Sequence, residues 1–188
     1  ATVVIANPNA PTGLCLSLGE VERIVAANPD NLVLIDEAYV DFGGESARDL
    51  TDKYDNLLVV GTFSKSRSLA GARLGFAIGH EDIIRDLNTI KFSTNPYNIN
   101  RLTLIAGKEA MLDTAYFEEN IKKIAEAREY TEKELTALGF EVLPSKANFI
   151  FAKHPELDGG VLYTRLKEMG ILVRHFEKPR IREYNRIT

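Results

Sequence analysis

The chain has 188 residues, 45% hydrophobic and 27% charged, a globular composition that excludes a disordered or fibrous protein. Lys and Arg total 23 against 27 Asp and Glu, a formal net charge of −4, without the positive excess that a nucleic-acid surface requires. The lone Cys15 excludes an internal disulfide, three dispersed histidines exclude a metal-ligand cluster, and no apolar run approaches the ~18 residues that cross a membrane. At ~150 residues per domain, the length suits one domain plus a smaller unit. The opening residues have neither the charged lead nor the length of a secretion signal, so a soluble cytoplasmic protein is expected.

Thr2 to Ala6 reads as a strand, and Asn7-Pro8-Asn9-Ala10-Pro11-Thr12-Gly13 as turn chemistry. Ser17 stands three residues before Glu20, a capping-box pair, and Val21, Ile24 and Val25 supply the apolar stripe of a short helix that Asn28-Pro29 stops. Leu32 to Ile35 has no polar alternation, which predicts a strand buried on both faces, ending abruptly in Asp36-Glu37. A polar loop from Phe42 to Asp55 leads to a second apolar strand, Leu57 to Val60. This rhythm is that of an α/β fold with a mainly parallel sheet. Leu74 to Ile78 follows too soon for a helical crossover, so that strand is expected to run antiparallel. Glu81 to Ile90 is helical by spacing, and so is nearly everything from Asn100 to Leu138, with Asp113-Thr114 as a break and Gly139 as a C-cap. Phe117, Ile121, Ile124 and Ala125 face inward on this pattern, and Lys122 to Glu134 reads as a solvated, charge-rich face. Beyond it, Phe140 to Leu143, Asn148 to Ala152 and Ile171 to Arg174 are predicted strands around a helix at Val161 to Met169. The predicted organisation is a partial large α/β domain over 1–112 and a small α+β domain over 113–188.

In open parallel sheets, ligands bind beyond the carboxyl ends of the strands. Asn7 to Gly13, Asp36 to Tyr39 and Thr62 to Lys65 all stand there, so a carboxylate, a phenol, hydroxyls and an amine converge on one rim. A lysine in a desolvated pocket can form a Schiff base with a carbonyl. Hydroxyls with a guanidinium, as in Thr62, Ser64 and Arg73, suit a phosphate dianion. A carboxylate facing a pyridine nitrogen keeps it protonated. Together these residues suit pyridoxal 5′-phosphate. The competing reading, a Gly-rich nucleotide loop, lacks its motif. Cys15 is expected to be a small buried hydrophobe, and His80, His154 and His175 to take no catalytic part.

Asn7 to Gly13, Asp36-Glu37-Ala38-Tyr39, Thr62-Phe63-Ser64-Lys65 and Leu69-Ala70-Gly71-Ala72-Arg73, in this order and spacing, resemble the core of the fold-type I pyridoxal-phosphate-dependent aminotransferases, in particular the histidinol-phosphate aminotransferase family. The resemblance continues through Asn95 to Asn100, Ala147 to Ile150 and Arg186-Ile187-Thr188. It implies Lys65 as the covalent anchor and proton shuttle, Asp36 at the pyridine nitrogen, and Tyr39 on the phenolic oxygen. Ser64 and Arg73, with Thr62, would hold the phosphate, while Arg186 and Arg174 would receive the anionic end of the substrate. Where the family has Asn directly before Pro-Thr-Gly, this chain has Ala10, so Asn9 or Tyr39 would supply that contact. The family further implies an amino donor, histidinol phosphate, a 2-oxo acid acceptor, a homodimer and no metal. Its N-terminal half has no match here, so the chain resembles a C-terminal portion that stops within a strand. Another enzyme of the same fold, such as an aromatic aminotransferase or an amino-acid-phosphate decarboxylase, or a non-catalytic fragment, remains the alternative.

Overall fold

The computed structural model describes residues 1–188 and contains two sheets. The first has strands β1 (Thr2–Ala6), β2 (Leu32–Asp36), β3 (Leu57–Thr62) and β4 (Gly75–Gly79) in that spatial order. The first three strands pair in parallel, with Ala6 opposite Asp36 and Asp36 opposite Val60, whereas β4 runs antiparallel to β3. This is the mixed, mostly parallel sheet expected of the apolar runs, including the reversed strand that the short connection required.

Helix α1 (Leu18–Ala26) packs on one face of this sheet. Ser17 and Glu20 form the predicted capping box: Glu20 N–H donates to Ser17 Oγ, and Ser17 N–H donates to the Glu20 carboxylate. Val21 and Val25, one turn apart, meet Val33, Ile35, Ala47, Leu57 and Val59 in the main core. Burying side chains of this size contributes about 1.5–3 kcal/mol each.

The opposite face departs from expectation. Leu32 and Leu34 are only half-buried and Val4 is 66% exposed, because α1 covers the side of Val33 and Ile35 and no element of this chain lies over Val4. A short 3₁₀ turn, Val40–Phe42, leads into the predicted loop from Phe42 to Asp55 and buries Phe42, and a second, Arg48–Asp52, lies within it.

Helix α2 (Glu81–Thr94) runs one turn past the predicted end. Helices α3 (Arg101–Leu112) and α4 (Thr114–Ala137) meet at Asp113, whose carboxylate accepts from Tyr116 N–H and so starts α4 where α3 stops. At the far end of α4, Gly139 is left-handed (φ 90°), Gly139 N–H donates to Thr136 O and Phe140 N–H to Leu135 O, a Schellman cap as the glycine suggested.

The second sheet is antiparallel, with β5 (Glu141–Leu143), β6 (Ile150–Lys153), β7 (Arg174–His175) and β8 (Asn185–Ile187) in the order β5-β6-β8-β7. Helix α5 (Gly159–Glu168) accompanies it. The predicted strand from Ile171 to Arg174 is not formed before Arg174. Ile171 N–H donates to Leu166 O and Gly170 N–H to Lys167 O, so the end of α5 captures this backbone and leaves Ile171 and Leu172 exposed. No helix is long and apolar enough to cross a membrane.

Candidate active site

The parallel register brings the carboxyl ends of β1, β2 and β3 to one edge. Asn7 fixes the first loop there. It is buried, accepts from Leu16 N–H (2.7 Å) and donates to Leu16 O (3.2 Å), while its own N–H donates to Asp36 O (2.9 Å). Asn9 turns its carboxamide oxygen into the loop, accepting from Thr12 Oγ1 at 2.7 Å.

Asp36 ends β2 half-buried. One carboxylate oxygen accepts from Ala38 N–H (3.0 Å), and no cation pairs with it. Thr62 and Ser64 stand together: Thr62 Oγ1 donates to Ser64 Oγ (2.9 Å) and accepts from Ser64 N–H (3.0 Å). Arg73 is exposed, left-handed (φ 54°), and donates to Ala70 O (3.0 Å) in its own turn, so no hydrogen bond joins it to either hydroxyl.

The desolvated setting expected for Lys65 is not formed by this chain, because nothing in it covers the lysine and the residue is exposed. Its ammonium makes no ion pair and lies 5.5 Å from the Tyr39 ring centroid. Tyr39 meets Phe149 edge-on, with centroids 5.0 Å apart and planes at 83°. The Arg186 guanidinium sits 4.9 Å over the other ring, that of Phe149. Amine, phenol, benzyl ring and guanidinium thus form one continuous row from the first sheet to the second. Arg186 Nε is buried without a partner. Arg174 is exposed and directly opposite Arg186 in the β7–β8 register, with its guanidinium 5.6 Å from the Phe176 ring. Two like charges side by side on one face oppose each other unless an anion lies between them.

Four contributors escaped the sequence reading. Phe149 was visible only as part of a motif. Glu37 is buried, with its carboxylate accepting from Ser46 Oγ (2.6 Å) and Ala47 N–H (2.6 Å), and its signal was a second acid at the end of an apolar strand. Ser66 donates its hydroxyl to the Asp41 carboxylate. Arg128 had no signal at all, since it lies among the charges of α4. Its Nη1 donates to Phe42 O (2.8 Å) and Ala147 O (2.7 Å), tying the turn after Tyr39 to the loop before Phe149. The reading of Lys122 to Glu134 as a solvated face is corrected here. Arg128 and Glu132 are half-buried, and burial pushes the Glu132 carboxyl up. Cys15 is half-buried rather than buried, its thiol pushed up chiefly by desolvation. His175 lies on the edge strand as expected, its side chain 7% exposed and stacked on Tyr163.

Burial likewise pushes the Glu37 carboxyl above its ordinary value, against the lowering effect of the Ser46 and Ala47 hydrogen bonds. The folded chain therefore takes up this proton at a higher pH than the unfolded chain. Stability from this group rises as pH falls from its folded value to its unfolded one, and is complete below that. Glu37→Gln removes the titration. The difference in melting temperature, wild type minus variant, is expected to grow as pH drops from 7 toward the ordinary glutamate value. A pH-independent difference in thermal unfolding refutes it.

The family model for aminotransferase class I and II matches residues 1–188. The histidinol-phosphate aminotransferase of Brachyspira hyodysenteriae is 57% identical over 187 residues, 99% of this chain and 53% of that protein. Among solved structures, the histidinol-phosphate aminotransferase from Clostridium acetobutylicum superposes with a TM-score of 0.90 at 26% identity, covering 100% of this chain and 58% of that one. The histidinol-phosphate aminotransferase from Sinorhizobium meliloti, solved in complex with pyridoxal-5′-phosphate, gives 0.86 at 27% identity, covering 100% of this chain and 52% of that one. The chain spans about half the length of the curated relatives it matches. With a family match over its full length and a sheet edge carrying Asp36, Tyr39 and Lys65, the chain belongs to the class I and II aminotransferases.

Proposed function

We propose that this chain contributes the cofactor lysine and the anion-binding arginines of a pyridoxal-phosphate-dependent aminotransferase. The proposed amino donor is histidinol phosphate and the acceptor 2-oxoglutarate. The observation that carries this is the row Lys65–Tyr39–Phe149–Arg186, an amine and a guanidinium held on either side of one aromatic pair. Residues 1–112 would form part of the cofactor domain and 113–188 the small domain. Two separate sheets and the helix break at Asp113 support that division.

The donor set fits the cofactor. Asp36 carries a carboxylate without a cation, Lys65 an ammonium without a counterion, and Thr62 with Ser64 a pair of adjacent hydroxyls. When bound, pyridoxal phosphate supplies an electron-withdrawing ring conjugated to the reacting amine. Asp36 then holds a proton on the pyridine nitrogen, and Tyr39 donates to the phenolic oxygen. Lys65 takes the proton from the substrate Cα and returns it on the other side of the transfer. Ser64, Thr62 and Arg73 hold the phosphate; Asn9, whose oxygen is taken by Thr12, keeps its amide N–H groups for the phenolic oxygen. Arg186, with its unpartnered Nε, takes the anionic end of the substrate, with Arg174 beside it.

A cytoplasmic homodimer completes the reading. Ile90, Phe92, Tyr97, Leu102 and Leu104 are exposed apolar side chains on and between α2 and α3, the kind of surface a second copy covers. A monomer in sedimentation at micromolar concentration removes that part. The test of the reaction is a full-length aminotransferase carrying this chain, given histidinol phosphate and 2-oxoglutarate. Glutamate formation is the expected result. Preference for an aromatic amino acid, or release of carbon dioxide from an amino-acid phosphate, overturns the substrate assignment.

A further inference from the structure

Lys65 stands on a turn whose other residues are pinned. Phe63 is buried and its N–H donates to Leu74 O (3.1 Å). Ser64 is bonded to Thr62, Ser68 N–H donates to Lys65 O (3.1 Å), and Leu69 N–H donates to Phe63 O (2.9 Å). Arg67 donates to Ala110 O (2.9 Å), with its guanidinium 3.5 Å from the Phe117 ring centroid. Ser66, 8% exposed, donates to the Asp41 carboxylate in the 3₁₀ turn that directly follows Tyr39. The Lys65 side chain is exposed and makes no hydrogen bond or ion pair.

A cavity of about 420 Å³ lies against this turn, lined in part by Glu37, Asp41, Thr62, Phe63, Ser66 and Arg67. Packing therefore leaves one side of the lysine turn unsupported, and the Ser66–Asp41 hydrogen bond crosses from one wall to the other. A hydroxyl on a carboxylate is a charge-assisted bond, stronger than a neutral one. Asp41 also shares one short segment with Asp36 and Tyr39. Anything that fixes Ser66 to Asp41 fixes the lysine relative to both of those side chains.

We propose that Asp41 is a positioning residue, which through Ser66 sets where the Lys65 amine stands against Tyr39 and Asp36. The inference rests on the reading of Lys65 as the reacting amine. It is tested on a full-length aminotransferase carrying this chain, freed of cofactor, by incubation with pyridoxal 5′-phosphate, trapping with borohydride and quantifying label on each lysine by peptide mapping. The exposed Lys122 and Lys123 serve as internal references. The wild-type enzyme is expected to label preferentially at Lys65. Asp41→Ala and Ser66→Ala are each expected to lower the Lys65-to-reference ratio by about tenfold, the scale of one hydrogen bond to a charged group. The double variant is expected to fall no further than either single one. Ser66→Thr, which keeps the donor, is expected to restore the ratio, and Asp41→Asn, which keeps an acceptor without the charge, to restore it in part. Loss of selectivity in the wild type overturns the functional reading, and this inference with it. Wild-type selectivity with an unchanged ratio in Ser66→Ala, or additive losses in the double variant, overturns the positioning role alone. Should Asp41→Ala fail to fold, Ser66→Ala with its Ser66→Thr rescue decides the matter.

Discussion

Lys65→Ala in a full-length aminotransferase carrying this chain is expected to abolish turnover while cofactor still binds. The substitution removes two functions at once, the covalent attachment point and the proton carrier. The proton-transfer part alone is worth ~10²–10⁴ in rate. The phosphate contacts proposed for Thr62, Ser64 and Arg73 are untouched, because the hydroxyl pair is held by its own hydrogen bonds and by the turn backbone. Stability should change little, since the Lys65 side chain is exposed and makes neither an ion pair nor a hydrogen bond. Single-turnover kinetics with cofactor occupancy measured on the same sample check it. Turnover within tenfold of wild type would place the reacting amine elsewhere.

Asp36→Asn is expected to fail differently. Asparagine keeps an oxygen for Ala38 N–H, so the β2 end retains its shape. It removes the charge that holds a proton on the pyridine nitrogen. Loss of one preorganised electrostatic partner commonly lowers rate by ~10²–10³, or ~3–4 kcal/mol of transition-state stabilisation. Borohydride trapping should still mark Lys65, because the amine is unaffected. Unchanged turnover with cofactor bound would show that Asp36 does not face the ring nitrogen.

Much of this arrangement was legible because its signals are local. An apolar run of four residues followed closely by polar or charged ones marks both a strand and the edge where ligands collect, as Leu32 to Ile35 before Asp36 and Leu57 to Val60 before Thr62 to Lys65 do. The short link before Gly75 set the direction of β4, and Gly139 set the end of α4. The failures have long-range causes. Ile171 to Val173 is apolar enough for a strand, yet the cap of α5 uses its backbone first. Leu34 reads as buried on composition, but burial depends on what covers a face, and α1 covers only one. Arg128 bonds a carbonyl 86 residues away, and nothing in a helix of alternating charges distinguishes that arginine from its neighbours. Ser66 and Asp41, 25 residues apart, are ordinary turn residues until the chain folds.

Arg128 is also one of the ties between the part of the chain that carries the first sheet and the part that carries the second. One nitrogen holds the Phe42 carbonyl, in the turn after Tyr39, and the Ala147 carbonyl, in the loop before β6, so its two bonds share a single point of attachment. Hydrogen bonds weaken steeply once their geometry leaves the linear range. A small rotation of one sheet against the other is thus resisted by both bonds, and a larger one releases them in the same step. A junction of this kind is expected to act as a latch rather than a spring. Widening between the Arg186 end and the Lys65 end is expected to require release of both Arg128 bonds, together with the Lys146 N–H bond to Gly13 O (2.9 Å) beside them.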